Sequence, residues 1–241
     1  MSAESDNLVH EAVLCVEACA LTVSAGAWSF AAQHQHEIAA HWEQRRLESP
    51  KLYNGVVHLL RSFALEHNVF TATFLRTDFK SFLYWRAQGY PEAGVHDGFG
   101  SAVIRSAEGH VLLGRQTAGH INEGLAYPPG GFIEECDVRD GVIDIDAVTA
   151  RELREETGLR ADDLVRGQGY LVTTSGPHVS IAVEWHSVLP SDALKAHILD
   201  QVSRQPEPEL GDVVIVGGRD DIGAHAMPGY TTVLLSSLFA A

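Results

Sequence analysis

The chain has 241 residues, of which 45% are hydrophobic, which is enough for a packed core in one large domain or two small ones. Its 17 Lys and Arg against 32 Asp and Glu give a net charge of -15, the wrong sign for a protein that binds nucleic acid mainly through general electrostatics. Three cysteines do not make a disulfide framework, so we expect a cytoplasmic protein.

The first 96 residues are predicted to form an α/β unit, here called the N-terminal extension. The expected elements are a strand at 13–21, a helix at 31–47 that Ser49-Pro50 ends, two strands within 52–76 joined by residues 66–68, and a helix at 79–88.

An apolar stretch at 12–32 has the length of a membrane segment. Acidic residues precede it, Glu17 interrupts it, and it lacks a basic leader. We therefore expect neither export nor a membrane span.

The stretch GYPEAGVHDGFGS, at 89–101, is rich in Gly and Pro and predicts a boundary between domains at 1–96 and 97–241. Beyond it, the expected elements are strands at 101–106 and 110–114, a helix at 147–157, strands at 164–174 and 179–189, a helix at 191–203, a strand at 212–216 and a short apolar run, TTVLLSSLF. Strands and helices do not alternate strictly, which predicts an α/β (α+β) sandwich rather than a doubly wound sheet.

The segment RELREETGL, at 151–159, concentrates acidic side chains near the end of a helix. At about 100° per residue, Glu152, Glu155 and Glu156 share one face. Their mutual repulsion and the helix dipole oppose this arrangement, and Gly158 favours a helix end just after it. Either the face is solvated, or it binds a hard divalent cation such as Mg²⁺.

This segment resembles the second half of the Nudix box and matches every fixed position of that half. PPGGFIEECD supplies the glycines Gly130 and Gly131 of the first half, but Asp137 stands where the family has Glu. Thirteen residues separate Asp137 from Arg151 where the family has seven, so the box carries a six-residue insertion.

The resemblance implies a Nudix-type α/β/α sandwich around a mixed sheet at 97–241, preceded by the extension. It also implies a hydrolase of phosphorus anhydride bonds that uses Mg²⁺ or Mn²⁺. Its partner would be a small molecule linked to a nucleoside diphosphate, without nucleic acid or membrane. Within the extension, AWSFAAQHQHEIAAHWE, SPKLYNGVV and FLRTDFKSFLYW resemble the Nudix branch that includes UDP-glucose pyrophosphatases, which favours a nucleotide sugar.

Three alternatives stay open at this point. The substrate could instead be ADP-ribose, a dinucleotide or a free nucleotide, and SGPHVS at 175–180 resembles the Ser-Pro-Gly turn of ADP-ribose-type Nudix enzymes. The altered box could belong to a Nudix-fold protein that binds a nucleotide without cleaving it. The extension either shapes the substrate pocket or mediates homodimer contacts.

By resemblance, the box supplies most of the site. Glu155 and Glu156 are expected as metal ligands, Glu152 as a further ligand or the general base, and Arg151 as the residue that orients them. Gly130 and Gly131 are expected to let the substrate-binding loop approach the helix closely.

Further site residues are expected outside the fixed positions of the box. Glu184, on a predicted strand, is a candidate base or extra ligand, and Arg115 is a candidate phosphate contact; Arg76 and Lys80 could do the same but are more often surface charges. In the insertion, DGVIDID is expected to be a solvated loop, although its aspartates could replace a missing ligand. The four tryptophans are expected to pack in the core.

Overall fold

The computed structural model describes residues 11–240, which form two mixed β-sheets and the helices packed on them. The α/β class predicted from the sequence is confirmed. No helix within 11–240 combines the length and apolar character that crossing a membrane requires.

The larger sheet contains the strands of the expected Nudix region and one strand of the extension. In chain order its strands are β1 (Glu11–Val16), β5 (Asp97–Arg105), β6 (Val111–Gln116), β7 (Ala126–Tyr127), β8 (Gly130–Phe132), β11 (Val165–Arg166), β12 (Tyr170–Ser175), β13 (His178–His186) and β14 (Leu210–Val216). The main path runs β1-β12-β13-β5-β6-β14, with β13 and β5 parallel. Strand β8 pairs with the first half of β5.

The smaller sheet belongs mostly to the extension. It contains β2 (Ala18–Ser24), β3 (Val56–Glu66), β4 (Val69–Asp78), β9 (Val138–Arg139) and β10 (Val142–Ile143), in the order β3-β4-β2-β10-β9. The predicted hairpin of β3 and β4 is confirmed.

The helices pack on these sheets. They are α1 (Ser29–Gln33), α2 (Gln35–Glu48), α3 (Phe79–Ala87), α4 (Ile145–Thr157), α5 (Ser191–Val202) and α6 (Gly229–Leu238). The apolar run TTVLLSSLF forms most of α6, and the four tryptophans are buried, as predicted.

The single strand predicted at 13–21 is wrong. The chain changes sheets at Glu17, whose backbone N–H donates to the carbonyl of Asn68 at 2.9 Å. Strand β1 then pairs with β12 of the larger sheet, whereas β2 pairs with β4 of the smaller one. The extension therefore adds an edge strand to the larger sheet. The domain boundary at residue 96 stays a prediction.

The helix predicted at 31–47 begins earlier and is interrupted. Helix α1 starts at Ser29 and ends at Gln33, and α2 continues after His34. The φ of His34 is -111°, outside the helical range, while its ring Nδ1 lies 2.9 Å from the carbonyl oxygen of Phe30. A local side-chain contact therefore accompanies the break, which apolar spacing does not reveal.

The insertion of the box is not the solvated loop that we predicted. Val142 pairs with Thr22 of β2, so the insertion joins the smaller sheet. Asp144 accepts a hydrogen bond from the N–H of Ala147 at 3.1 Å and caps α4. Asp146 accepts one from the hydroxyl of Tyr170 at 2.6 Å. These aspartates have structural partners.

Helix α4 lies between the two sheets' cores and carries the acidic residues. Val148 and Leu153 are fully buried in separate apolar clusters on either side of it. Because the helix is covered on both flanks, side chains between these apolar positions are buried as well.

Candidate active site

Glu152, Glu155 and Glu156 do not form a uniformly solvated face on α4. The helix begins at its Asp144 cap and ends at Gly158, whose φ of 74° lies in the left-handed region that glycine favours, as predicted. Glu152 and Glu156 are buried, whereas the side chain of Glu155 is half exposed. Burying two carboxylates on one helix costs free energy unless a cation or proton compensates.

Glu156 is the most deeply buried of the three, with 3% of its surface exposed. Its Oε1 accepts a hydrogen bond from the backbone N–H of Gly130 at 2.8 Å, and its Oε2 is buried without a hydrogen-bond partner. Burial, followed by the charge of Glu152, raises the pKa of Glu156 well above its ordinary value. One carboxylate oxygen is thus left for a ligand.

Glu152 lies beside it and touches the glycine strand β8. Burial raises the pKa of Glu152 to about 7, although the charge of Arg151 opposes the shift. A Cβ atom added to Gly131 would lie 2.6 Å from Glu152 Oε1, closer than a real contact allows. The second glycine of the pair therefore leaves the space that the Glu152 carboxylate fills.

Arg151 connects the acidic residues of the site. Its Nη1 lies 2.7 Å from Glu152 Oε1 and donates to Glu155 Oε2 at 3.2 Å. Its Nη2 donates to Asp137 Oδ2 at 2.9 Å and to the carbonyl of Phe132 at 3.0 Å. Burial acts to lower the pKa of Arg151, but the hydrogen bonds that it donates to Asp137 and the charge of Glu152 raise it overall.

Asp137, the residue that departs from the family pattern, is buried behind this arginine. Its Oδ2 also accepts from the backbone N–H of Glu134 at 2.8 Å, closing the 3-10 turn Glu135–Asp137. Both of its oxygens are therefore occupied by Arg151 or the backbone. The shorter carboxylate positions the arginine.

The box residues border a cavity of about 1060 Å³. Glu152, Glu155 and Gly131 lie on its wall, as do Phe79, Arg86 and other residues of the extension, together with Tyr230 of α6. The extension is thus part of the cavity wall.

The donors at the box fit a hard divalent cation, since they are carboxylates and one buried oxygen lacks a partner. Within residues 11–240, however, no three His, Cys, Asp or Glu side chains already form a metal cluster. Glu155 is turned toward Arg151 at 3.2 Å and toward Arg154 at 3.6 Å. The exposed Glu155 side chain has to rotate away from these arginines before it can bind an ion together with Glu152 and Glu156.

The family model of the NUDIX domain matches residues 95–212. The segment 95–212 belongs to the Nudix superfamily. A comparison with curated proteins finds no match.

Solved structures of low sequence identity resemble parts of the chain. A MutT protein from Methanosarcina mazei Go1 is 20% identical, with a TM-score of 0.42, over 59% of this chain and 91% of its own. The Nudix hydrolase RenU from M. smegmatis is 17% identical, with a TM-score of 0.41, over 59% and 83%. A bifunctional NMN adenylyltransferase/ADP ribose pyrophosphatase from Francisella tularensis, complexed with AMP and a Mn ion, is 18% identical, with a TM-score of 0.38, over 64% and 44%.

Two of the residues expected at the Nudix site do not line the cavity. Glu184 lies near the far end of β13 and its Oε1 accepts from Arg105 Nε at 2.8 Å. Arg115 donates to the carbonyl of Gly124 at 3.0 Å and lies 3.2 Å from His225 Nδ1. The alternation of side chains along a strand predicts which face of the sheet Glu184 and Arg115 occupy, but not how far they lie from the box.

Sequence analysis missed the polar and aromatic residues on another part of the cavity wall. They are Tyr90, Asp97, Phe99, Tyr127, His178 and Tyr230. The first three lie in or beside the Gly- and Pro-rich stretch that we interpreted as a boundary, and His178 lies in the turn SGPHVS. The signal that could have revealed this wall is the presence of an acidic residue and aromatic residues within 89–101, a stretch that we interpreted only as a boundary.

Proposed function

We propose that this protein is a Mg²⁺- or Mn²⁺-dependent Nudix pyrophosphohydrolase that cleaves a nucleoside diphosphate linked to another group, with nucleotide sugars favoured. The unpartnered, buried Oε2 of Glu156, next to Glu152 with its raised pKa, is the observation that carries the proposal. Two buried carboxylates this close are stable in their charged form only with a cation.

Glu155 and Glu156 would hold the divalent ion, with Glu152 as a further ligand or as the general base. When bound, the ion neutralises diphosphate oxygens, polarises phosphorus and lowers the pKa of the attacking water. Arg151 holds the Glu152 and Glu155 side chains beside one another, because its guanidinium Nη1 contacts both carboxylates.

The reaction proposed here is hydrolysis of the phosphorus anhydride bond. The oxygen of water bonds to one phosphorus, the bond from that phosphorus to the bridging oxygen breaks, and the bridging oxygen leaves on the other phosphate. As general base, Glu152 would accept a proton from the water. The products are a nucleoside monophosphate and a phosphorylated remainder.

The size and composition of the cavity support a substrate larger than a diphosphate. Its volume of about 1060 Å³ lies at the upper end of typical small-molecule sites. Lys51, Phe79 and Arg86 bring the extension to the wall, which agrees with its resemblance to the UDP-glucose pyrophosphatase branch. Shaping the pocket is therefore the role we propose for the extension.

A nucleotide panel tests this function. Purified protein is incubated with nucleotide sugars, ADP-ribose, dinucleotides and nucleoside triphosphates, with Mg²⁺, with Mn²⁺ or with EDTA, and the products are identified by mass spectrometry. We expect phosphate-bearing products only with a divalent ion. Glu155→Gln should lower turnover by orders of magnitude, while the control Glu184→Gln, remote from the cavity, should not. Nucleotide binding without any product would instead indicate a binding protein.

A further inference from the structure

Asp97 is a buried carboxylate on the cavity wall, at the start of β5. Its side chain is 9% exposed. Among residues 11–240, no side-chain oxygen of Asp97 has a hydrogen-bond donor within bonding distance, and His178 Nε2 lies 3.7 Å from Asp97 Oδ2. Burial raises the pKa of Asp97 to about 7. The Asp97 carboxylate faces the cavity without a donor from the described part of the protein, so this position is suited to a ligand that brings one.

The neighbouring cations do not satisfy this carboxylate. Burial lowers the pKa of His178, which keeps the imidazole neutral near pH 7. Arg86 lies close enough for its charge to lower the pKa of Asp97, but its Nη2 donates to Asn122 Oδ1 at 2.9 Å and to the carbonyl of Ile121 at 3.1 Å. The protein's own donors are therefore directed elsewhere.

Aromatic rings lie on the same cavity wall as the carboxylate. The His178 ring lies 5.3 Å from that of Tyr90 and 5.7 Å from that of Tyr230, and Phe99 lies 5.0 Å from Tyr230, all between ring centroids. All four side chains contribute to the cavity wall. Flat, partly apolar walls favour a planar ring as the occupant.

The position of Asp97 relative to the box matches one extended ligand. Gly100 pairs with Gly131, the glycine that touches Glu152, and Asp97 lies three residues before Gly100 on the same strand. At about 3.3 Å per residue, Asp97 lies roughly 10 Å along β5 from Gly100, and the odd spacing places the Asp97 side chain on the face of the sheet opposite to the one that Gly100 turns toward α4. Asp97 and Glu152 nevertheless line the same cavity, so a substrate whose diphosphate lies at the box can extend its base toward Asp97.

We propose that Asp97 determines base specificity by accepting hydrogen bonds from the adjacent N–H groups of a guanine base that lies against the wall formed by the rings of His178, Tyr90 and Tyr230. This proposal rests on the proposed function, since it assumes a nucleoside diphosphate at the box. An ionised carboxylate only accepts hydrogen bonds. Guanine places an imino and an amino donor side by side, whereas adenine and cytosine have an acceptor beside their amino donor and uracil offers one donor between two acceptors.

The test compares four substrates that differ only in the base: the GDP-, ADP-, UDP- and CDP-linked forms of one hexose. For the wild type we expect the highest kcat/KM with the GDP-linked form. Asp97→Asn replaces one acceptor with a donor and should lower kcat/KM for that substrate by about tenfold or more, while changing the others little. Asp212→Asn, which removes an exposed carboxylate paired with Lys195, is the matched control.

Binding of GMP and AMP, measured by calorimetry, separates this proposal from that of hydrolysis. If GMP binds more tightly than AMP and Asp97→Asn removes the difference, the base site stands even when no substrate is cleaved. An enzyme that cleaves all four substrates equally, or an Asp97→Asn variant that loses activity equally for every base, would overturn it. Asp97→Asn removes a buried charge, and its melting temperature at pH 8 should not fall.

Discussion

Replacing Gly131 with Ala should inactivate the site and leave the fold intact. The glycine lies in strand β8 without a positive φ, so alanine fits its backbone. The new Cβ would meet the carboxylate of Glu152 at 2.6 Å for Oε1, 2.8 Å for Cδ and 2.9 Å for Oε2. Normal contacts require about 3.5 Å or more, so the Glu152 carboxylate has to move by about 1 Å. A displacement of that size at a reacting group costs roughly 10²-fold in rate.

Gly130 provides the matched control, because the obstacle there is backbone. A Cβ at Gly130 would lie 2.5 Å from the carbonyl oxygen of Gly100 and 3.1 Å from Ser101 Cα. A strand backbone does not shift as easily as a flexible carboxylate, so Gly130→Ala should destabilise the fold by about 1–3 kcal/mol. At about 2–4 °C per kcal/mol, its melting temperature should fall by several degrees.

Both variants are assayed for kcat/KM on the best substrate of the panel and for thermal unfolding in EDTA. We expect Gly131→Ala to lose activity with a melting temperature near that of the wild type. For Gly130→Ala, we expect the melting temperature to fall. If Gly131→Ala kept the wild-type kcat/KM, the position of the Glu152 carboxylate would not matter for catalysis, and the reasoning would be refuted.

Three further predictions follow from the charges. Without metal, the free energy of unfolding should fall as the pH rises from about 4.5 to about 7, because folded Glu152 retains a proton that the unfolded chain has released; urea unfolding should show a loss of up to about 3 kcal/mol, which Glu152→Gln removes. Arg151→Ala should destabilise by about 3–5 kcal/mol in the same assay, since Asp137 becomes a buried unpaired charge, and Arg151→Lys should recover part of this. Glu184→Gln should leave kcat/KM unchanged, and a large loss would place Glu184 in the site.

The sequence identified the box because its information is local. The spacing of Glu152, Glu155 and Glu156 on one helix, the helix end at Gly158 and the glycine pair depend on residues close in the chain, and helical geometry alone brings the acidic residues together. That two of them are buried and one is exposed follows from packing on both flanks of α4, which helical spacing does not show.

The remaining errors concern contacts between distant segments. The change of sheet at Glu17 depends on a bond to Asn68, and the pairing of Val142 with Thr22 joins segments 120 residues apart. The wall containing Asp97 and His178 exists because β5 and β13 are parallel neighbours. Strand periodicity fixes which face a residue occupies but not which strand lies beside it, so Glu184 and Arg115 could not be placed.

The most direct test of the metal-binding carboxylates is a titration of Mn²⁺ into the purified protein, followed by electron paramagnetic resonance. The account predicts saturable binding that weakens by about tenfold or more in Glu156→Gln, while Glu135→Gln, an exposed box residue paired with Arg76, binds like the wild type. Equal Mn²⁺ affinity in the wild type and Glu156→Gln would contradict it.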